Sequence, residues 1–489
     1  MATISKDTLQ KAGDYILSGP MIIGGTGKNI SITNLVSEIN IYQDIDTPYM
    51  SGSMFIMESA GIYETLPILG QERLLFKLET PGSKYTIDFS EHHAMVYSVQ
   101  SRNPSSNRQH AYSINFTTQE NFTNIRTKIS KSFKGTIDKI VAEIMTDDSM
   151  VGTPKAVNID PTINNKKFIA PNMRPFQVIQ YLKEESISKR GEPHYVFFEN
   201  PEGFHFRSLD SMLGELGELS NESVQHYKSQ PPKEGAEIGD IMQSIQEFRL
   251  ADLTNTFTNS RAGMFASTLY QHDIMNKNIS KYEFSYEEAF KSQNATNQPS
   301  SGFGPLHSNV QVDGKKQITE FPNSKIFVHP SASHKLHNEG SYASPNYFYM
   351  HNNAEKWMQE STSRELEREY FTINISVWGN TDIKCGDIIN ISIPANRPLS
   401  PSDSSEALDK VLTGRYLITS LHHKIDVQED THVMFITAMT DSIGVRAVVQ
   451  KKIKLKPHRK IGGLGLKRGK KMRKKSRSRT PTAIVAVRG

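Results

Sequence analysis

Several things are missing from this 489-residue chain, and each absence removes a class of protein. A single cysteine, Cys385, excludes an intrachain disulfide framework and fits a chain made in a reducing compartment or one that needs no staples. No apolar run approaches the ~18 residues a spanning helix requires, so no membrane insertion is expected. The opening MATISKDTLQKAGDYILSG lacks a basic stretch followed by an apolar one, and no secretion signal is expected. The C-terminal stretch is basic without any acid: Lys451 to Gly489 holds 16 Lys and Arg and no Asp or Glu. The whole chain has 57 bases and 52 acids, so residues 1–450 carry 41 bases against 52 acids. A duplex-binding body is normally basic on at least one face. This body is acidic, and the net positive charge belongs to the tail.

Chemical motifs are equally scarce. IIGGTGKNI (22–30) imitates a phosphate loop, but Ile22 stands where the first Gly belongs and Asn29 where Ser or Thr must follow Lys28. A Gly-rich hairpin turn is expected there instead. The neighbours His92-His93 and His422-His423 would point to opposite faces of a strand, so neither pair can easily chelate one metal. His329, His334 and His337 lie in a polar stretch without a nearby Cys or i,i+4 spacing. No GxSxG nucleophile elbow occurs, and no raised-pKa acid with a partner carboxylate stands out for sugar cleavage. No catalytic residue, cofactor or metal ligand is assigned.

What is present is periodicity. At 22% charged and 36% hydrophobic residues the composition is that of a globular chain, and the length suits roughly three domains. The first 118 residues read as strands: Leu74, Phe76 and Leu78, then Tyr112, Ile114 and Phe116, alternate with mostly polar positions. The spacing of Phe122, Ile125, Ile129 and Phe133 predicts a helix ending at Gly135, and Ile137, Ile140, Val141 and Ile144 a second. Pro175 suits the first turn of a third helix carrying Phe176, Ile179 and Leu182. HYVFFENPEGFHF predicts a hairpin turning at Asn200 to Gly203. From about 240 strands return as IQEF, GMFASTLY and KYEFSY. Residues 291–347 read as long loops, then a polar helix spans roughly Asn353 to Arg368. Phe371, Ile373, Ile375 and Val377 give the cleanest alternation in the chain.

Two distant segments share an order of features. GQERLLFKLETP (70–81), AMVYSVQSRN (94–103) and HAYSINFTT (110–118) echo CGDIINISIP (385–394), RYLITSLHHKI (415–425) and HVMFITAMT (432–440). In each, a Gly and an amide or acid open an alternating strand that ends near a Pro, and a longer strand with its hairpin partner follows. The echo predicts two copies of one small antiparallel barrel or sandwich, although any two hairpins share some of these features.

The runs ITNLVSEINIYQDIDTPYMSGSMFIMESAGIYETLPILGQERLLFKLETP (32–81) and GRYLITSLHHKIDVQEDTHVMFITAMTD (414–441) resemble the opening and closing of baseplate central hub proteins from T-even-like contractile-tailed phages. These are related to the N-terminal part of type VI secretion spike proteins. The resemblance is one of pattern and order over roughly residues 30–445. It implies an α+β fold, mainly antiparallel β: two similar tube-like β-barrels, with an α/β domain between them and interrupting the second. On this chain that gives a first barrel over 1–120 and the α/β domain over 121–239. The second barrel takes 240–290 and 365–445, the α/β domain resumes as a loop-rich insert over 291–364, and a basic arm occupies 446–489. The implied function is a structural hub in the virion tail, a homotrimer adapting a sixfold tail tube to a threefold central spike and enclosing part of a DNA channel. Implied partners are the spike (with or without a lysozyme domain), tail tube or tube-initiator proteins and a tape measure protein. The family pattern does not explain the arm. Its Lys467, Arg468, Lys470, Lys471, Arg473, Lys474, Lys475, Arg477 and Arg479 suit electrostatic docking, onto an acidic protein or onto DNA phosphates. It lacks interleaved aromatics for base stacking, and the terminal TPTAIVAVRG could add one strand to a partner's sheet. Nucleic-acid binding through the arm and a tail-associated wall hydrolase are the alternatives.

Overall fold

The computed structural model describes residues 9–442, apart from 25–28, 60, 62–67, 107–108, 215–223, 231, 233, 252–254, 275–276, 292, 298–315, 332–353, 370, 397–407 and 410. The chain opens with β1 (Ile16–Ile23), β2 (Asn29–Ser31), β3 (Val36–Asp44), β4 (Ser51–Glu58), β5 (Arg73–Glu79), β6 (Thr86–Asp88), β7 (Ala94–Ser106) and β8 (Gln109–Thr118). A mixed region follows: α1 (Gln119–Arg126), β9 (Ile129–Thr136), α2 (Ile137–Thr146), β10 (Val157–Ile159), β11 (Asn165–Met173), α3 (Pro175–Glu184), β12 (Tyr195–Asn200), β13 (Gly203–Ser208) and α4 (Leu209–Gly214). Next come β14 (Gln225–Lys228), α5 (Ile238–Met242), β15 (Ile245–Leu250), α6 (Thr256–Ala262), β16 (Ala266–Asp273), β17 (Asn278–Ser285), α7 (Tyr286–Phe290) and β18 (Ile326–Ser331). The chain closes with α8 (Ala354–Arg368), β19 (Thr372–Trp378), β20 (Ile388–Ser392), β21 (Gly414–Asp426) and β22 (Thr431–Met439).

Among the described residues, fourteen of these strands join in one sheet whose main path runs β15-β19-β22-β21-β3-β4-β8-β7-β5-β1-β2. The fold is mainly antiparallel β, as expected. The ladder does not close on itself, so the described strands form one open sheet and not two separate closed barrels.

The duplication shows in the register. Five strands in the order β3-β4-β8-β7-β5 match β15-β19-β22-β21-β20 position by position. In the first set Val36 faces Ile56, and Ser37 is bulged out before Glu38 meets Phe55. In the second Ile245 faces Val377, and Gln246 is bulged out before Glu247 meets Ser376. Further along, Val96 pairs with Phe116 and Ser98 with Asn115, with Tyr97 as the extra residue. Ile418 pairs with Ala438 and Ser420 with Thr437, with Thr419 as the extra residue. The Thr118 amide donates to the Met50 carbonyl as the Thr440 amide does to Phe371, at 3.2 and 2.9 Å. Both short strands open on an acid folded back to the amide three residues earlier: Glu72 on Leu69 at 2.7 Å, Asp387 on Lys384 at 2.9 Å. A bulge position is costly to shift, because slipping by one residue would turn every core side chain to solvent.

Each five-strand set has its own core. Ile39, Ile41, Met54, Ile56, Leu74, Phe76, Val96, Ile114 and Phe116 fill the first; Ile373, Ile375, Val377, Ile389, Ile391, Ile418, Met434, Ile436 and Ala438 fill the second. The sixth neighbour differs. β5 pairs antiparallel with β1, whereas β20 pairs parallel with β14.

Three expectations need correction. Ile129 and Phe133 lie on strand β9 rather than on a helix, and Gly135 pairs within that strand instead of stopping a helix. Residues four apart share a side in both a helix and a strand, so their spacing could not tell the two apart. In α1 the buried residues are Glu120, Asn121 and Asn124, and Ile125 is half exposed. Second, of residues 240–290 only β15 enters the large sheet; β16 and β17 form their own sheet with β18. Helix α8 covers β16: Gln359 Nε2 donates to Ser267 O at 3.0 Å, and Ser363 Oγ to Met264 O at 2.7 Å. Alternation marks a strand without saying which sheet it joins. Third, β14, assigned by sequence to the α/β domain, pairs with β20 in the large sheet. The remaining elements stand as read: α2, α3 with Pro175 in its first turn, the β12–β13 hairpin, α8 and β19.

One pair of facing positions shows how the copies diverged. Gly52 faces Phe116 in the first set, and Ile373 faces Ala438 at the matching place in the second. A Cβ on Gly52 would lie 2.3 Å from Phe116 Cζ and 2.4 Å from Asn40 O. Gly52→Ala is therefore expected to destabilise the fold by about 1–3 kcal/mol, the range of overpacked cores. A shifted midpoint in chemical denaturation checks this, and an unchanged midpoint would contradict the packing described.

Candidate functional site

The two copies meet where β3 of the first pairs antiparallel with β21 of the second, Asp44 opposite Ser420 through Glu38 opposite Asp426. This seam is the place where the structure brings distant sequence together with the most chemistry. Adjacent side chains on β21 alternate across it. His422 faces outward, its ring stacked between Tyr42 and Phe435 with centroids 4.5 and 5.4 Å away, and its Nε2 lies 2.8 Å from Asn40 Oδ1. Beside it Lys424 pairs with Glu38 at 3.2 Å. His423 points inward and is fully buried.

Inside, a polar chain crosses from copy to copy. Gln43 Oε1 accepts the Cys385 amide at 3.1 Å, and Gln43 Nε2 lies 3.4 Å from His423 Nε2. His423 Nδ1 is 3.0 Å from His432 Nε2. With the Gln43 amide donating, His423 accepts on Nε2 and donates from Nδ1 to His432, an assignment made from the network. The His432 ring fills the space above Gly379, where a Cβ would come within 2.0 Å of it. Burial pushes the His432 imidazole down to about 3, and burial with the adjoining His432 holds His423 well below the ordinary range. Both rings are neutral at neutral pH.

Buried ion clusters fasten the mixed region to both copies. Glu199 on β12 accepts the Met50 amide at 2.9 Å and the Thr118 hydroxyl at 2.8 Å. Lys155 reaches Glu199 at 2.6 Å and Glu120 at 3.0 Å. Burial pushes the Glu199 carboxyl up against the pull of Lys155. On the second copy Arg364, 4% exposed, contacts Glu367 at 2.9 Å and Asp441 and Asp210 at 3.6 Å. Burial raises Glu367 to about 7, and burial with Asp210 raises Glu192 to about 8. Such values would suit a general acid, but Glu367 points at Arg364 and Tyr286, and Glu192 at Asp210. In these contacts the carboxyls tie elements together.

The residues singled out by sequence fall as follows. Strands β1 and β2 pair, Ile23 opposite Asn29, so the Gly-rich stretch joins a hairpin and not a strand to a helix. His92 and His93 lie in the turn between β6 and β7, not on a strand; His329 is on β18, and His334 and His337 lie outside the described residues. Among the described residues no group of three or more His, Cys, Asp or Glu could hold a metal ion, and no helix is long and apolar enough to cross a membrane. Lys467, Arg468, Lys470, Lys471, Arg473, Lys474, Lys475, Arg477 and Arg479 all lie outside the described residues. Sequence reasoning missed Gln43, Glu199, Lys155, Arg364 and the His423–His432 pair. Of these only the two histidines lie within one segment, and HVMFITAMT beginning on His432 was the one signal available.

No protein-family model matches this chain, and no curated protein matches it. Solved structures of tail and secretion proteins are similar to it. A tail protein from Neisseria meningitidis MC58 aligns at 12% identity and TM-score 0.48 over 88% of this chain and 97% of that one. The 43 kDa tail protein of prophage MuSo2 from Shewanella oneidensis aligns at 10% and 0.46 over 87% and 99%. The c3393 protein of E. coli, a type VI secretion component, aligns at 9% and 0.38 over 89% and 79%. At such identities and scores the likeness is one of chain course.

The buried imidazoles fix a pH limb. Their folded values lie below the unfolded value of ~6.5, so the unfolded chain binds the extra protons. Stability is full above pH ~6.5 and falls as the pH drops toward the folded values, each unit of difference costing about 1.4 kcal/mol per ring. His194 and His205, also buried and held low, act in the same direction. Glu367 and Glu192, raised by burial, act the other way, so the ring's share is read by difference: between pH 7 and 4 the urea midpoints of His432→Gln are expected to fall less steeply than those of the unaltered chain, by about one proton. An equal slope in the variant would exclude the pair as its source.

Proposed function

We propose that this protein is the structural hub of a contractile tail baseplate, a homotrimer that adapts a sixfold tail tube to a threefold central spike and encloses part of a DNA channel. The observation that carries this reading is the duplication of one five-strand sheet, bulges included, within one chain. Two near-equivalent sheets per chain let three chains present six similar surfaces to one neighbour and three identical ones to another. A symmetry mismatch calls for such an adaptor. The resemblance of 32–81 and 414–441 to hub proteins supports the same role, with spike, tube and tape measure proteins as its partners. The reading assigns the chain no reaction; the buried carboxyls serve as fastenings. The basic arm docks onto an acidic protein of the assembly, with the apolar end of TPTAIVAVRG adding a strand to it.

Light scattering on purified protein is expected to give a mass three times that of the 55.1 kDa chain. A strict monomer at high concentration would sink the hub reading. For the arm, deletion of 451–489 is expected to leave the oligomer intact and to abolish whatever weak, steeply salt-dependent DNA retention the whole chain shows. DNA binding that survives the deletion unchanged would remove the arm from any such role.

A further inference from the structure

Five carboxyls, those of Glu192, Asp210, Glu360, Glu367 and Asp441, gather about the single buried guanidinium of Arg364. Four of them hold ordinary donors. Asp210 on α4 accepts the Asn294 amide on Oδ1 at 2.6 Å and the Asn294 side-chain amide on Oδ2 at 2.8 Å. Asp441 accepts the Thr296 amide at 2.8 Å, and Glu360 accepts the Gln293 side chain at 3.3 Å. Glu367 accepts Arg364 at 2.9 Å and the Tyr286 hydroxyl. Glu192 differs: among the described residues, the hydrogen-bonding partner of its side chain is the Asp210 carboxyl.

Two ionised carboxylates are acceptors only and cannot hydrogen-bond to each other. Both Asp210 oxygens already accept from Asn294, so the proton between the pair sits on Glu192. The cluster is short of hydrogens elsewhere too: Asp441 Oδ2 and Gln293 Oε1 face it without a hydrogen bond, in residues 2% and 5% exposed. Arg364 is shared among Asp210, Glu367 and Asp441. The other cation beside Glu192 is Arg190 of its own turn, an exposed side chain 3.9 Å from Asp210. From β12 the group that faces Glu192 is the Tyr195 phenol, which burial keeps uncharged.

The place of this contact gives it a role. Glu192 closes the turn 188–192, where the Ser188 amide donates to the Glu192 carbonyl at 2.9 Å and Ile187 bridges to Pro193. Asn294, on the other side of Asp210, belongs to the segment whose Thr296 and Asn297 bond to Asp441 and Thr440 at the end of β22. We propose that one proton held between Glu192 and Asp210 is a latch, pinning the 188–192 turn to α4 beside the joint with the second sheet and loosening as the pH rises. Without the proton two carboxylates confront each other in a half-buried site, and the turn must leave α4 to hydrate Glu192. The lifted turn releases its proton near the ordinary ~4.3 and the pinned turn at about 8, so lifting grows easier between those values and levels off above them. The latch works within one chain and is independent of the hub reading.

Lys189 and Arg190 at the tip of the turn are exposed, and trypsin can use them once the turn lifts. On the full-length protein, cleavage there, normalised to a free peptide of the same turn sequence, is expected to speed up by roughly tenfold or more from pH 6 to 8.5. Glu192→Gln keeps a donor toward Asp210 at every pH and should be cleaved slowly throughout. Glu192→Ala has nothing to pin and should be cleaved fast throughout. A pH rise that persists in Glu192→Gln, slow cleavage of Glu192→Ala, or an unaltered chain that shows no rise would each overturn the latch. Infrared spectra give a reading apart from cleavage. At pH 6 the protonated-carboxyl band of Glu192→Gln should be smaller than that of the unaltered chain by one group, with Glu367 contributing to both. Equal bands would place the proton elsewhere and overturn the proposal as well.

Discussion

A β-strand edge is a row of hydrogen-bonding groups that something must satisfy, and this molecule is organised around where its edges go. The β3–β21 pairing joins two sheets that would otherwise each end in a bare edge, and it does so with the backbone. Side chains then follow from that contact. Ile425 can complete the first core only because β21 runs on past its own sheet. The polar chain Gln43–His423–His432 is buried because the same crossing seals it from water. Weakening the seam would therefore open one core and expose two neutral imidazoles together.

Side chains from outside the two sheets grip each copy at a matching place, the end of its last strand. Glu199 holds the Thr118 hydroxyl on the first, and Asn297 Nδ2 donates to Thr440 Oγ1 at 3.2 Å on the second. The fastenings are charged and buried, an arrangement in which desolvation consumes most of the Coulombic gain. Their value is in specificity: an apolar surface of the same shape would tolerate sliding, whereas Lys155 between Glu120 and Glu199 fits one position only. That precision suits a body whose two copies must be held at a defined angle.

Much of this was legible from residues alone, and the boundary has a physical cause. Period-two alternation at Leu74, Phe76 and Leu78 and at Ile373, Ile375 and Val377 marks strands buried on one face, and these stand where expected. The echo between 70–118 and 385–440 proved to be register-level duplication. Its extension to β3–β4 and β15–β19 was hidden, because Val36–Asp44 and Ile245–Leu250 share a bulge position and almost no residue types. Ile129 and Phe133 misled because their spacing satisfies both a helix and a strand. Sheet membership was out of reach for β16, whose parallel partner β18 comes from a much later segment, Thr268 opposite Ile326. The Arg364 and Lys155 clusters are contacts between segments, and no local pattern carries them.

The differences between the copies matter as much as their likeness. Gly52 against Phe116, and Ile373 against Ala438, place the same bulk on opposite strands, so each core is filled without being interchangeable with the other. β1 flanks one copy antiparallel and β14 flanks the other parallel, so the two sheets differ at this edge as well. Covering β3 from within the chain while leaving β15 open gives the molecule a direction. A chain with two identical halves could pair like with like and stop at a twofold dimer. Here the halves share a backbone but differ at their edges: β3 is paired with both β4 and β21, whereas among the described residues β15 is paired with β19 alone.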